Sequence, residues 1–295
     1  MYKGFNLKLI ESFPSSNYLY ENFDQAYDEG NSINEENKRQ IRLELEKFLR
    51  NDNKLDGNSI KNQWFPKVKA DVFISHSHND EKQAIALSGW LKRNFGLDSF
   101  IDSLVWDYAP DLIDEFNNKY NVIAQNPPNV TYGYKTAKYI SSHIDLMLST
   151  ALNSMIDHCE ALIFLNTPFS TGQAIQNKVL DLAKVEIESP WIYSELETSK
   201  IVREKLDRKR HKIMLKLFSH GASTISMESL NESSLPPIVY DTSVKHLYRL
   251  TRENLDEWKR LYKNRYKSIN YQQHPLDSLY DLMEIEESNN KTIND

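Results

Sequence analysis

Short apolar runs alternate with stretches of helical periodicity from residue 68 onward, and this alternation is the strongest constraint on the fold. The first run, 70–74, is followed by polar residues and then by a helix that Gly96 is placed to end. The other runs predicted as strands are 99–102, 161–165, 213–217 and 238–240, and further helices are predicted over 141–158 and 191–206. Strands that alternate with helices predict an α/β fold of flavodoxin-like type, with a parallel central sheet and helices on both faces.

A sheet of this kind has a preferred place for ligands. Parallel strands present their carboxyl ends at one edge, and ligands bind in the crevice outside that edge. We therefore expect the functional residues in the loops that follow Ile74, Asp102 and Leu165.

The chain divides by pattern into three parts. Residues 1–67 are predicted as an N-terminal helical extension, whose helix begins at Ser32, in capping-box spacing with Glu35, and ends near Asn51. Packing of this helix against its own chain or against another protomer remains open. Residues 68–265 form the main domain with an insertion over about 103–140, and 266–295 form a C-terminal tail that loses apolar periodicity after Met283.

Composition excludes several classes of function. The net charge is −6 and no window concentrates basic residues, so nucleic acid is not an expected partner. No apolar run approaches the roughly 20 residues that span a bilayer. The single cysteine, Cys159, fits a reducing compartment, and we expect a cytoplasmic protein. Isolated glycines form neither a P-loop nor a dinucleotide fingerprint, and His76 with His78 lacks a third metal ligand, so no metal is expected.

One segment has a spacing with a direct chemical meaning. Ser189 can cap a helix whose first position suits Pro190, so Trp191 and Glu195 lie four residues apart on one helical face. An aromatic plane and a carboxylate could then share a cleft, where the plane stacks on a base and the carboxylate stabilises positive charge at a ribose carbon. The alternative is that Trp191 packs in the core and Glu195 is a solvated helix residue.

Four motifs in order resemble the Toll/interleukin-1 receptor (TIR) domain family. The motifs are DVFISHSHND at 71–80, FID at 100–102, ALIFL at 161–165 and SPWIYSEL at 189–196, the last similar to the family's Trp-x-x-x-Glu segment. The resemblance covers Val68 to Lys263. Within the family, the chain most resembles the bacterial members that act on NAD+ in anti-phage defence, which include the signal-producing TIR proteins of Thoeris systems.

The resemblance implies a site and a reaction. It makes Glu195 the catalytic carboxylate and Trp191 the stacking residue, and it places Ser75, His76, Asp102 and Tyr193 in the substrate pocket. NAD+ would be the substrate, with no further cofactor. Nicotinamide leaves as a neutral molecule, so one carboxylate can suffice. Capping of the neighbouring loops is the alternative role for Ser75, His76 and Asp102.

The expected activity is cleavage of the nicotinamide–ribose bond, yielding ADP-ribose, a cyclic isomer or an ADP-ribosyl conjugate as a signal. The resemblance also implies self-association and a separate effector protein that senses the product. Two departures from the family pattern, the aromatic-rich 103–140 insertion and the segment Asn166 to Ser189, leave the product and the activating trigger open. The rivals are a non-catalytic TIR interaction module and a nucleoside deoxyribosyltransferase-like enzyme.

Overall fold

A computed structural model describes residues 3–8, 22–38, 45–106, 109–126, 129–171, 184–202, 239–266 and 274–294. The elements in chain order are β1 (Lys3–Lys8), α1 (Phe23–Lys38), a 3-10 turn (Leu45–Phe48), α2 (Gly57–Trp64), β2 (Val72–Ser75), a 3-10 turn (His78–Asp80), α3 (Glu81–Phe95), β3 (Ser99–Phe100), α4 (Asp102–Val105), α5 (Ala109–Tyr120), β4 (Val122–Asn126), β5 (Asn129–Tyr132), α6 (Tyr134–His158), β6 (Ala161–Asn166), β7 (Lys184–Ile187), α7 (Pro190–Ile201), β8 (Tyr240–Ser243), β9 (Tyr248–Leu250), α8 (Arg252–Tyr266) and α9 (Pro275–Asn294).

The central sheet has five parallel strands in the order β3-β2-β6-β1-β9. Strands β2 and β6 pair from Val72 with Ala161 to Ser75 with Phe164. The predicted α/β fold with a parallel sheet is therefore confirmed, and Ser75 lies at the carboxyl edge where a ligand is expected.

The strands are apolar throughout because both faces of the sheet are covered. Successive side chains of a strand point to opposite faces, and in β6 Leu162 and Phe164 enter one core while Ile163 and Leu165 enter the other. The first core contains side chains of α2, α6 and α7, and the second contains side chains of α3, α8 and α9. Helices thus cover both faces, as predicted.

Helix α1, which overlaps the predicted N-terminal helix only over 32–38, packs directly on α3 of its own chain. A Cβ atom at Gly30 would lie 1.9 Å from the carbonyl oxygen of Ile85, and one at Gly89 would lie 1.9 Å from that of Ala26. Both positions therefore require glycine, because any side chain would collide with backbone. The end of α3 at Gly96, with φ of 70°, agrees with the prediction.

The prediction of a separate extension over 1–67 is wrong in two respects. Strand β1 lies inside the central sheet, between β6 and β9, and Phe5 and Leu7 are fully buried. Helix α1 also begins at Phe23, so Ser32 lies within the helix and not at its start. Both strands that pair with β1 lie more than 150 residues away along the chain, as the pairing of Leu7 with Leu165 shows. The local pattern of apolar residues does not predict pairing over such a distance.

The C-terminal segment is likewise part of the core. Helix α9 buries Leu276, Leu279 and Met283 against the second face, and the Lys3 Nζ atom lies 3.0 Å from the Glu284 carboxylate. The separate tail predicted over 266–295 is therefore wrong within the described residues, because its apolar positions before Met283 cover the sheet.

Two other predictions shift. The strand near 238–240 is β8, which pairs antiparallel with β7 outside the central sheet. The 103–140 insertion folds into α4, α5 and the hairpin β4–β5, and α6 begins at Tyr134 instead of 141. The strand predicted over 213–217 lies outside the described residues. Among the helices that are described, none is long and apolar enough to cross a membrane.

A candidate active site at the carboxyl edge of the sheet

A buried hydrogen bond joins the end of β2 to α7. The Ser75 hydroxyl donates to Oε2 of Glu195 over 2.6 Å, and the exposed fractions of the two residues are 0% and 2%. Helix α7 delivers Glu195 to this position because Ser189 caps its N-terminus, accepting a hydrogen bond from the Ile192 amide, and Pro190 occupies its first turn. Glu195 is therefore a buried residue, and the alternative of a solvated helix residue is wrong.

The charge state of Glu195 is set by three influences. Burial and the neighbouring Asp102 carboxyl raise the pKa of Glu195 well above its usual range, while the hydrogen bond from Ser75 lowers it. Removing a carboxylate from water is costly, and a second acidic group close by adds repulsion. Such an arrangement of titrating groups is typical of functional sites.

Asp102 and His76 form the second half of the site. Asp102 opens α4 directly after β3, and its Oδ1 atom lies 3.9 Å from Nδ1 of His76, the residue that follows β2. Burial raises the pKa of Asp102, and the imidazole of His76 opposes that rise. The other ring nitrogen, Nε2, lies 3.2 Å from the hydroxyl of Ser103, which donates to the Glu81 carboxylate.

The structure thus brings together four of the six predicted site residues, namely Ser75, His76, Asp102 and Glu195. They come from β2, the start of α4 and α7, which are distant in sequence and meet at one edge of the sheet. The contacts of Ser75 with Glu195 and of His76 with Asp102 join elements that are distant in sequence, whereas the alternative role, capping of a neighbouring loop, would need only local contacts.

Trp191 and Tyr193 lie elsewhere on α7. The ring of Tyr193 stacks on Tyr240 with centroids 4.6 Å apart, and Trp191 is half-buried against the first core. Within the described residues, no hydrogen bond or ring contact links either side chain to Ser75 or Glu195. Their binding of substrate therefore stays a prediction.

A second buried carboxyl group at this edge, that of Asp80, has a hydrogen-bond partner that the sequence did not predict. Thr167, directly after β6, donates its hydroxyl to Oδ2 of Asp80 over 2.5 Å, and both residues are buried. The sequence indicates Asn79 or Asp80 as the cap of α3, but the Asp80 side chain makes no capping hydrogen bond. The only available signal was that both residues follow predicted strands and so face the same edge of the sheet.

The region is acidic around one imidazole. The carboxyls of Asp80 and Asp102 both interact electrostatically with His76, and Glu195 interacts with Asp102. Among the described residues, no group of three or more His, Cys, Asp or Glu side chains is arranged to hold a metal ion. An excess of carboxyls in a largely buried setting favours a cationic ligand.

Comparison of the chain with protein-family models, curated proteins and solved structures finds no match. The resemblance to TIR domains therefore rests on the four sequence motifs.

Proposed function

We propose that this protein is a TIR-type NAD+ nucleosidase or ADP-ribosyl cyclase that makes an ADP-ribose-derived signal in anti-phage immunity. The observation that carries the proposal is the buried Glu195 carboxyl, hydrogen-bonded by Ser75 at the carboxyl edge of a parallel sheet and flanked by Asp102. Ligands bind at this edge in α/β folds, and the Trp-x-x-x-Glu motif supplies the carboxyl.

Glu195 acts on the ribose carbon that bears nicotinamide. As the C1′–N bond breaks, positive charge develops on the ribosyl group, and an ionised carboxylate held in place stabilises it. Ser75 engages Oε2, and in the described part of the chain no hydrogen bond to Oε1 is recorded, so the proposal assigns Oε1 to the ribosyl cation. Nicotinamide departs as a neutral base, so this step needs no acid.

The raised pKa of Glu195 has a consequence for substrate choice. The pyridinium of NAD+ brings a positive charge into an acidic site, and this charge favours ionised Glu195. A neutral glycoside offers no such compensation. We therefore expect the oxidised, cationic nicotinamide nucleotide to be cleaved in preference to its reduced form, with activity rising as pH rises through the pKa of Glu195.

Self-association is a second candidate function, and a specific observation favours it. Large apolar or aromatic side chains are exposed on the hairpin β4–β5 and the first turns of α6, and they include Ile123 (69% exposed), Tyr134 (70%) and Tyr139 (66%). Solvent-exposed aromatics of this kind are typical of interfaces. We include assembly of several copies, cytoplasmic location and a separate product-sensing effector in the proposal.

The test is a substrate panel. The purified chain is incubated with NAD+, with NADH, and with deoxynucleosides plus a free base, and products are separated by chromatography with mass detection. Release of nicotinamide from NAD+ alone supports the proposal, and the mass of the partner product separates ADP-ribose, a cyclic isomer and a conjugate. Transfer between deoxynucleosides with NAD+ intact would establish the deoxyribosyltransferase-like alternative. If no substrate is converted, in buffer or in lysates of infected cells, the result would favour the alternative of a non-catalytic interaction module.

A further inference from the structure

This inference deepens the proposed function and rests on it. Cleavage of NAD+ is completed when a hydroxyl group, of water, of a ribose or of another acceptor, bonds to C1′. The C1′–N bond breaks with its electron pair leaving on nicotinamide, a C1′–O bond forms, and the acceptor hydroxyl loses a proton. Stabilisation of the ribosyl cation by Glu195 does not by itself remove that proton, so a base is needed beside it.

The Ser103 hydroxyl lies between the Glu81 carboxylate and one ring nitrogen of His76. The Ser103 hydroxyl has a single proton, and it donates that proton to the Glu81 carboxylate over 3.3 Å. With that proton directed at Glu81, the same oxygen accepts from His76, an arrangement that needs the imidazole tautomer protonated at Nε2, 3.2 Å away. In the neutral imidazole the other nitrogen, Nδ1, then bears a lone pair.

That second nitrogen faces the Asp102 carboxylate. The His76 side chain is 1% exposed, and its Nδ1 atom makes no hydrogen bond within the described residues. Oδ1 of Asp102 lies 3.9 Å away, which is within ion-pair range and beyond hydrogen-bond range. A buried lone pair facing a carboxylate is unfavourable, and a proton on Nδ1 converts the contact into an attractive ion pair.

We propose that Asp102 is the base that removes the proton of the acceptor hydroxyl, and that His76 is a positioning residue that aims Asp102 and keeps it anionic. The exposed fractions separate the two carboxyls by role. The Asp102 side chain is 23% exposed and can meet an incoming hydroxyl, whereas Glu195 is 2% exposed and bonded to Ser75. Each carboxyl thereby serves one half of the reaction.

The charged groups around His76 are consistent with Asp102 acting as the base and Glu195 stabilising the ribosyl cation. Asp80 precedes α3, Glu81 opens it and reaches His76 through Ser103, and Asp102 faces Nδ1 from α4. Thr167 donates to Asp80 and Ser103 donates to Glu81. For Asp102 the His76 ring is the neighbour that lowers its pKa, while the Glu81 carboxyl raises it and Glu195 is a further acidic neighbour. The imidazole lowers the pKa of Asp102 against the effect of burial, so it favours the form that accepts a proton.

The experiment compares two acceptors, one with a proton to lose and one without. Deuterated nicotinamide attacks C1′ through its ring nitrogen and re-forms NAD+, so its exchange into NAD+ needs the ribosyl cation but no base. Transfer to water or to a ribose hydroxyl needs both. Mass spectrometry of one reaction mixture gives both rates, and their ratio does not depend on the fraction of protein that is folded.

We expect Asp102→Asn to lower the ratio of hydroxyl transfer to nicotinamide exchange about 100-fold, the usual scale of general-base catalysis. We expect His76→Leu to lower it about 10-fold. His76→Asn, whose amide can occupy the place of Nδ1 and donate to Asp102, should recover most of that loss. Glu195→Gln should lower both rates, by about a thousandfold.

Distinct outcomes separate the two proposals. If Asp102→Asn reduces exchange and hydroxyl transfer equally, or changes neither, Asp102 is not the base. If His76→Asn and His76→Leu shift the ratio alike, His76 does not act through Nδ1. If the unmodified chain neither exchanges nor cleaves NAD+, including in lysates of infected cells, the proposed function fails and this inference with it.

Discussion

Two buried carboxyl groups at the same edge of the sheet each accept a short hydrogen bond from a hydroxyl group, but their surroundings differ. Glu195 accepts a hydrogen bond from Ser75 at the end of β2 over 2.6 Å, and Asp80 accepts one from Thr167 after β6 over 2.5 Å. Burial raises the pKa of both. One pair is proposed to be catalytic and the other structural, so the distinction has to come from what lies around each pair.

The hydroxyl partner of Asp80 is part of a closed turn. The Thr167 hydroxyl accepts a hydrogen bond from the Ser170 amide, and the Thr167 carbonyl accepts from the hydroxyls of Ser170 and Thr171. Asp80 therefore joins the start of α3 to this turn. Glu195 has Asp102 as a second acidic neighbour, and Asp102 in turn faces His76. Burial with a hydrogen bond is thus common to both, and the neighbouring second carboxyl is what distinguishes the proposed catalytic site.

The largest effect is expected for Glu195→Gln. Glutamine keeps the size of the side chain and can accept from Ser75, but it provides no negative charge for the ribosyl cation. We expect NAD+ cleavage to fall about a thousandfold, the upper scale for losing one preorganised electrostatic group. Thermal unfolding should show stability equal to or above that of the unmodified chain, because a buried acid is removed. A variant with the original rate would show that charge at Glu195 is not used.

Ser75→Ala should have the next largest effect. Loss of the hydroxyl frees the Glu195 carboxyl and removes the hydrogen bond that lowers its pKa, so the pKa rises further. We expect activity near neutral pH to drop about tenfold to a hundredfold, and the acidic limb of the pH–rate profile to move to higher pH. Ser75→Thr, which retains a hydroxyl, is the matched control and should keep that limb in place. An acidic limb that moves to lower pH in Ser75→Ala would contradict the assignment.

Asp80→Asn tests the structural pair. The amide leaves the Thr167 hydroxyl with a weaker acceptor in a buried setting, so the free energy of unfolding should fall by about 1–3 kcal/mol. Cleavage of NAD+ per folded molecule should stay within about threefold. Chemical denaturation measures the first quantity and an activity assay at low temperature the second. A large loss of activity with unchanged stability would place Asp80 in the active site.

The smallest effect concerns Asp145, a buried carboxyl whose Oδ2 atom has no hydrogen-bond partner among the described residues. Burial raises the pKa of Asp145 to about 6 from 3.8. Because the folded pKa lies above the unfolded value, the buried acid lowers the free energy of unfolding progressively as the pH rises from about 4 to about 6, and the full loss persists above pH 6. Asp145→Asn should therefore gain about 1–3 kcal/mol at pH 8 relative to its effect at pH 4. A pH-independent difference in unfolding free energy would show that Asp145 is solvated.

The fold was predictable wherever pattern is local. The strands β2 and β6 are short apolar runs, α3 ends at Gly96, and α7 begins at Ser189, and each of these features could be predicted from a few adjacent residues. Strand β1 could not, because its place in the sheet depends on β6 and β9 far along the chain.

The site divides in the same way. Ser75, Asp102 and Glu195 could be predicted because two follow strands and one belongs to a spaced motif, and the topology brings strand ends together. The bond from Thr167 to Asp80 spans 87 residues and has no motif, so sequence indicated only a helix cap at Asp80. The stacking of Tyr193 on Tyr240 could not be predicted either, because no sequence pattern links the two positions.

The most direct test sets the two carboxyl pairs against each other in one assay. Unmodified chain, Glu195→Gln and Asp80→Asn are incubated with NAD+, in buffer and in lysates of phage-infected cells, and nicotinamide and ADP-ribosyl products are quantified by chromatography with mass spectrometry. We predict the same products at similar rates from the unmodified chain and Asp80→Asn, and about a thousandfold less from Glu195→Gln. Equal product from Glu195→Gln, or loss of product in a stably folded Asp80→Asn alone, would contradict the assignment of Glu195 as the catalytic carboxylate.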